Sequence, residues 1–228
     1  MIERTRNYLV CSLSIQMTHC MDITRVPMRK YAQRIGADFF VLRESTRKPP
    51  HLAKYDLLTM ANTAGYQKIL YVDADVYIRR GVPNIFDHYE NALFNELPQK
   101  DEWFEPWQTK TVTTYKEQID PEFEIGNPYY NTGVMVFNKD GLRRLCQELE
   151  KVQEHKTVPI YYEQHELNLL LKKAGLPESN LHERWNTYAS MRDLNDRKLI
   201  DSYFIHTPGM TIPEQRVTKL QQIVTYLP

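Results

Sequence analysis

The run Lys68-Ile69-Leu70-Tyr71-Val72-Asp73-Ala74-Asp75-Val76-Tyr77-Ile78 sets two carboxylates inside an apolar, β-branched and aromatic stretch. Such a stretch reads as a buried strand. Charges are almost never buried in a strand unless they are paired or bind a cation. In a fully extended strand Asp73 and Asp75 share one face, because side chains alternate with period two. At a strand end the chain can bend, and both carboxylates can then address one hard cation. Oxygen ligands suit Mg²⁺ or Mn²⁺, ions often shared with substrate phosphates. The plainer alternative is a strand end with two solvated carboxylates.

The segments around this run alternate between strand and helix patterns. Tyr8 to Ile15 reads as a first strand. Asp22 or Thr24 is a candidate cap for a helix reaching about Ile35, with Ile23, Val26, Tyr31 and Ile35 along one side and Gly36 as a stop. Asp38 to Leu42 reads as a second strand. Arg43 to His51, with Pro49-Pro50, reads as a loop. Leu52 to Ala64 has helical spacing through Leu57, Leu58 and Ala61, and Gly65 ends it. The Asp73/Asp75 strand follows. This order implies parallel pairing, right-handed crossovers and an α/β layered fold with ligands at the carboxyl ends of the strands.

Further on, Asn95 to Asn127 holds Trp103, Phe104, Trp107, Tyr115 and Phe123 with prolines and many charges, and no clear periodicity. A substrate-facing loop is favoured over a plain surface excursion. Thr132 to Asn138 reads as a strand, and Asp140 to His155 and Glu163 to Ala174 as helices. Ser202 to His206 reads as a strand, and Pro213 to Tyr226 as a final helix. One domain is the simplest count for 228 residues.

Composition removes several classes. Lysine plus arginine equals aspartate plus glutamate at 29 each, which argues against a mainly electrostatic nucleic-acid binder. The three cysteines, Cys11, Cys20 and Cys146, are odd in number and form no Cys-x-x-Cys, so a disulfide framework or structural zinc site is not expected. No apolar stretch is long enough to span a membrane. The N-terminal residues have no following signal-peptide core, so a cytoplasmic location is expected, and a domain cut from a longer chain would look the same. Glycine is scarce, at 8 residues, and no glycine-rich phosphate loop, His-Glu-x-x-His or nucleophile elbow occurs.

What remains is a set of polar residues where apolar ones are expected. It comprises the Asp73/Asp75 pair, Asn131 before Thr132-Gly133, Gln164 with Asn168 on one helix face, and His206 at a strand end. Gln164, Leu167, Asn168 and Leu171 follow i, i+3, i+4, i+7 spacing. Two amides on an apolar helix face need partners or they cost stability. Each residue has a bland reading as a turn cap, a helix tie or a satisfied histidine. Together they suggest a carboxylate–carboxylate–imidazole cation cage near several amides.

The pattern resembles the Asp-x-Asp motif of nucleotide-sugar glycosyltransferases of the GT-A fold. The later motifs are similar in order to glycosyltransferase family 8, the family of glycogenin and the bacterial lipooligosaccharide galactosyltransferases. Tyr130-Asn131-Thr132-Gly133-Val134 resembles its Phe-Asn-(Ala/Ser)-Gly-Val strand. Glu163-Gln164-His165-Glu166-Leu167-Asn168 resembles its Asp-Gln-Asp-x-Leu-Asn helix start. Trp185-Asn186 resembles its Lys-Trp-Asn, His206-Thr207-Pro208-Gly209 its late His-x-x-Gly, and Ala53-Lys54-Tyr55 its basic helix position. Two departures stand out. Ile212 takes the place of the family's diphosphate lysine, with Arg216 or Lys219 as candidates to replace it. Glu163 and His165 take the places of the two acids of Asp-Gln-Asp.

The resemblance implies a single GT-A domain over 1–228, Rossmann-like, with a mostly parallel central sheet flanked by helices. Residues 1–92 would form the nucleotide-binding half and 93–228 the acceptor-side half. It implies Mn²⁺- or Mg²⁺-dependent transfer of a hexose from a nucleoside diphosphate sugar, UDP-glucose or UDP-galactose first, to a hydroxyl of a glycan or other acceptor, with retention. Asp73, Asp75 and His206 would hold the cation, with Asp75, Glu163 and Gln164 as the catalytic set. Ser12, Leu13, Lys54, Asp73, Ala74, Asn131, Gly133, Gly209 and Arg216 would contact the donor. Trp103 and Trp107 would help recognise the acceptor. An inverting enzyme would need a carboxylate base, for which Glu163, Asp120 or Glu122 could serve. A nucleotide-sugar hydrolase, a sugar nucleotidyltransferase and a non-catalytic binding module are the rival classes.

Overall fold

The computed structural model describes residues 2–46, 52–95, 112–117, 121, 128–152, 162–190, 192–209 and 212–227. Trp103, Trp107, Asp120 and Glu122 lie outside the described residues.

Three parallel strands come first: β1 (Tyr8–Leu13), β2 (Ala37–Leu42) and β3 (Lys68–Val72). Helix α1 (Thr18–Arg34) links β1 to β2, and α2 (Ala53–Ala64) links β2 to β3, as crossovers between parallel strands require. The chain then forms β4 (Val76–Ile78), β5 (Ala92–Asn95) and the nine-residue β6 (Tyr130–Asn138). Helices α3 (Lys139–Leu149) and α4 (Tyr162–Lys173), the short strands β7 (Ser179–Asn180) and β8 (Thr187–Tyr188), and one helical turn α5 (Arg197–Ile200) follow. Strand β9 (Phe204–His206) and helix α6 (Pro213–Tyr226) complete the order.

The large sheet runs β2-β1-β3-β6-β5-β7. Among the described strands only β6 runs against the others, antiparallel to both β3 and β5. The sheet is thus mostly parallel, as expected. Its strands alternate cleanly between two cores. Leu9 and Cys11 of β1, Ile69 and Tyr71 of β3, and Met135 and Phe137 of β6 face α2, α3 and α4. Val10, Leu70, Val72, Val134 and Val136 face α1, α6 and a second sheet. Both faces of the strands are covered, which is why they read as near-continuous apolar runs.

The run 68–78 is not one strand. It breaks at Asp73–Asp75, where the Val76 amide donates to the Asp73 carbonyl at 3.1 Å. Residues Val76–Ile78 leave as β4 for a three-stranded sheet ordered β4-β9-β8. The carboxylates therefore sit where the chain changes sheets.

Helix α1 begins at Thr18, earlier than a cap at Asp22 or Thr24 would place it. Its N-cap, Met17, makes no side-chain capping bond, and burial of Cys20 and Met21 anchors the first turn instead. The buried face is Cys20, Met21, Thr24, Met28, Tyr31 and Ala32, while Val26 points outward. Thr24 donates to the Ala74 carbonyl at 2.7 Å, which ties α1 to the break between β3 and β4. Within the aromatic excursion, residues 112–117 are helical, and Tyr115 is buried with its ring 5.5 Å from that of His165. Among the described residues no helix is long and apolar enough to cross a membrane.

Candidate active site

A cleft of about 430 Å³ opens over the ends of β1 and β3, lined on its floor by Asp73, Ala74, Asp75 and His206. Asp73 is the residue after β3, Asp75 the residue before β4, and His206 the last residue of β9, paired in register with Val76. One ligand atom from each of Asp73, Asp75 and His206 lies within 4.8 Å of the other two. Asp75 and His206 are buried. Two carboxylates and an imidazole from three strand ends, converging in a cleft, form a donor set that fits a hard divalent cation.

The backbone and neighbouring side chains hold this set. The Asp73 amide donates to the Gly133 carbonyl at 2.8 Å, and Thr207 donates to the Asp75 carbonyl through both its amide and its hydroxyl at 3.2 Å. The Tyr71 hydroxyl donates to Asp73 Oδ1 at 2.5 Å. His206 Nε2 lies 3.3 Å from Asp75 Oδ1, and Arg216 Nε lies 3.4 Å from Asp75 Oδ2. Burial works to raise the Asp75 pKa, but His206, when its ring is protonated on both nitrogens, and Arg216 hold it below its ordinary value.

Gly133 is a packing requirement. A Cβ there would lie 2.3 Å from His206 Cε1, 2.9 Å from Asn131 Oδ1 and 3.0 Å from Asp73 Oδ2. Any side chain would enter the space among the candidate ligands. That close approach explains a glycine in the middle of a nine-residue strand.

A second cluster lies on the other side of Asp73. Lys54 of α2 is buried, with Nζ 2.7 Å from Glu163 Oε1, 3.5 Å from Asp73 Oδ1 and 4.8 Å from the Tyr71 ring centre. Glu163 also accepts from the Thr132 hydroxyl at 3.1 Å. Burial alone would lower the Lys54 pKa, yet the Asp73 and Glu163 carboxylates raise it. The ammonium is thus kept charged in a dry place, where a fixed positive charge acts strongly on nearby anions.

The amides form a chain. Asn131 Nδ2 donates to Gln164 Oε1 at 3.3 Å, the Thr132 amide points at the same oxygen at 3.4 Å, and Gln164 Nε2 donates to the Tyr129 hydroxyl at 3.1 Å. Asn168 exchanges bonds with Tyr130, accepting from its amide at 2.7 Å and donating to its carbonyl at 2.8 Å. The amides on α4 therefore have the partners their position demands.

The cleft also takes in Leu13, Lys54, Asn131, Glu163, Gln164, Gly209 and Arg216. Gly133 lies behind Asp73 and His206, and Ser12 is fully buried one step back on β1 and is not among the lining residues. Of the two cations proposed to replace the missing lysine, Arg216 reaches the cleft. Lys219 instead donates to the Arg192 carbonyl at 2.6 Å. Sequence reading did not single out Tyr71, Thr132 or Gln16, all of which line the cleft. Gln16 has φ 60, a left-handed backbone carried by a non-glycine residue in the turn between β1 and α1. Tyr71 looks like any core aromatic in sequence, and only the bend after it aims its hydroxyl at Asp73.

Comparison with known proteins speaks to the fold and the family. No curated protein sequence matches the chain. By structure, it is similar to a glycosyltransferase involved in glycosylation of the major capsid of PBCV-1, at TM-score 0.63 and 16% identity over 94% of this chain and 98% of the other. It is also similar to an active-site mutant of LgtC, at TM-score 0.53 and 16% identity over 94% and 95%. At such identity these likenesses speak for the fold. The sequence model for glycosyl transferase family 8 matches residues 16–207, a span that takes in the Asp73–Asp75 break, Lys54, β6, the start of α4 and His206. The chain is a glycosyltransferase, with an α/β fold matching GT-A structures, and belongs to glycosyl transferase family 8.

Proposed function

We propose that the chain transfers a hexose from a uridine diphosphate sugar, glucose or galactose, to an acceptor hydroxyl, using Mn²⁺ or Mg²⁺ at Asp73, Asp75 and His206. The observation that carries this reading is the convergence of those three ligand atoms within 4.8 Å, beside a buried, charged Lys54. A divalent cation bound there would offset the negative charge that develops on a diphosphate leaving group. Lys54 supplies fixed positive charge on one side of Asp73, and Arg216 on the far side of Asp75. Leu13 and the turn after it offer an apolar wall for the nucleobase, and Ala74 and Gly209 leave room at the cleft floor.

Retention of configuration is part of the reading. An inverting reaction needs a carboxylate able to take the acceptor proton. Glu163 is engaged by both Lys54 and Thr132, which leaves the Gln164 amide as the neutral group of α4 facing the sugar. In this reading residues 1–92 provide the nucleotide side and 93–228 the acceptor side, with Trp103 and Trp107 contributing to the acceptor surface. The three cysteines are buried and free, which suits a cytoplasmic, reducing setting.

The test is calorimetric titration with UDP and UDP-glucose, in Mn²⁺ or EDTA, on the native chain and on Asp75→Ala. Binding should require both Mn²⁺ and Asp75. Equal binding in EDTA would overturn the metal assignment. Turnover that proceeds equally well without any acceptor would replace transferase with hydrolase.

A further inference from the structure

We propose that Asn186 is a positioning residue that fixes the His206 proton on Nδ1 and thereby leaves Nε2 as the ring nitrogen able to bind the cation. The inference rests on the metal-site reading above and extends it to a residue outside the ligand set. A neutral imidazole carries one N–H, so a metal-binding histidine needs a partner that holds the proton on the other nitrogen.

The assignment follows from a backbone group that can only donate. The Gly133 amide lies 2.9 Å from one terminal atom of the Asn131 side chain, so that atom is the carbonyl oxygen. Asn186 meets the same oxygen at 2.9 Å, so the atom it presents is its NH₂. The other terminal atom of Asn186 is then its carbonyl oxygen, and it lies 2.8 Å from His206 Nδ1. An oxygen cannot donate, so Nδ1 carries the proton. Nε2 faces the opposite way, 3.3 Å from Asp75 Oδ1.

The geometry has a competitor, which gives Asn186 its task. The Asp75 carboxylate would itself accept a proton from Nε2, and that tautomer has no lone pair for a cation. Asn186 is completely buried and His206 nearly so, so water is not at hand to replace the Asn186 acceptor. Asn186 is held in turn by its own backbone. Its amide donates to the Glu183 carbonyl at 3.0 Å, and the preceding Trp185 packs edge-on against Phe204 of β9 with ring centres 5.3 Å apart. The neighbours on each side of the imidazole, Asn186 and Asp75, therefore arrive on separate segments, and β6 sets the orientation through Gly133 and Asn131.

The test reads the ring nitrogens directly. Long-range ¹H–¹⁵N spectra of the metal-free protein at mildly alkaline pH should show His206 protonated on Nδ1, and a wild-type proton on Nε2 overturns the proposal. Asn186→Leu, which removes both amide functions at similar size, should shift the proton to Nε2 and weaken Mn²⁺ binding by about 10–100-fold. Asn186→Asp, which keeps an acceptor for the Nδ1 proton, should retain the native tautomer, and it decides the matter if the leucine variant does not fold. A leucine variant with the native tautomer and native Mn²⁺ affinity also overturns the proposal. Failure of the wild type to bind Mn²⁺ would count against the metal-site reading, while the nitrogen spectra would still judge Asn186.

Discussion

At the scale of single residues, the protein separates polar groups that stay charged from one that is kept neutral. Lys54 and Asp75 are buried yet flanked by opposite charges. His165 is the reverse case. It is buried against Tyr115 and Tyr129, and the Tyr129 hydroxyl, which accepts from Gln164, is hydrogen-bonded to its Nδ1 at 2.8 Å. Burial lowers its pKa from 6.5 to about 4. The unfolded chain thus binds a proton at His165 between those two values and the folded chain does not. Stability is full above pH 6.5 and falls as the pH is lowered through that window. The loss expected from this one group is about 3 kcal/mol. Urea unfolding from neutral pH to pH 4 should show it in the native chain and not in His165→Gln, which keeps a hydrogen-bonding partner for Tyr129. Parallel pH profiles for the two would dismiss the idea. Family resemblance marks this position as a departure from an acid, and a buried neutral imidazole explains why the replacement is tolerated.

At the scale of elements, β6 does more than fill the sheet, because its first residues carry Asn131, Thr132 and Gly133 to the cleft. Gly133→Ala would drive a methyl group toward His206 and Asp73. We expect it to lower Mn²⁺ affinity at least tenfold, with a stability cost of about 1–3 kcal/mol from overpacking. Gly141, at the start of α3, supplies the control. A Cβ there would lie 2.0 Å from Asn91 Oδ1, away from the cleft. Gly141→Ala should cost stability on the same scale and leave Mn²⁺ affinity unchanged. Equal metal loss in both variants would show that Gly133 acts only through folding. Elements with strong patterns were legible in the sequence: β1 to β3, α2 with its Gly65 stop, and α6 with Pro213 in its first turn. Strands β5, β7 and β8 were not, because two to four residues carry no usable period. The start of α1 was missed because tertiary burial of Cys20 and Met21 replaces a capping side chain. Asp73, Asp75 and His206 could be read as a set because charged or polar residues interrupt apolar runs there. Tyr71 and Asn186 could not, since their roles depend on where the chain bends and what it meets after bending.

At the scale of the whole molecule, the candidate cation site joins two sheets. Asp73 follows β3 of the large sheet, while Asp75 precedes β4 and His206 closes β9 in the small one. A ligand that binds only the assembled arrangement stabilises the whole fold by mass action. With Mn²⁺ at about 100 times its dissociation constant, the gain of about 2.7 kcal/mol should raise Tm by about 5–10 °C for a domain of this size. Asp75→Ala should abolish that increment. A variant that still gains the full increment would place the stabilising ion elsewhere. The same join has a consequence during synthesis. Asp73 and Asp75 leave the ribosome early, but their imidazole partner is encoded at position 206 and the Arg216 guanidinium later still. At about 5–20 residues per second, translation separates the two carboxylates from His206 by roughly 7–27 seconds. A nascent or prematurely terminated chain carries the acids without the ring, so the candidate cation site stays incomplete until β9 has been made and paired.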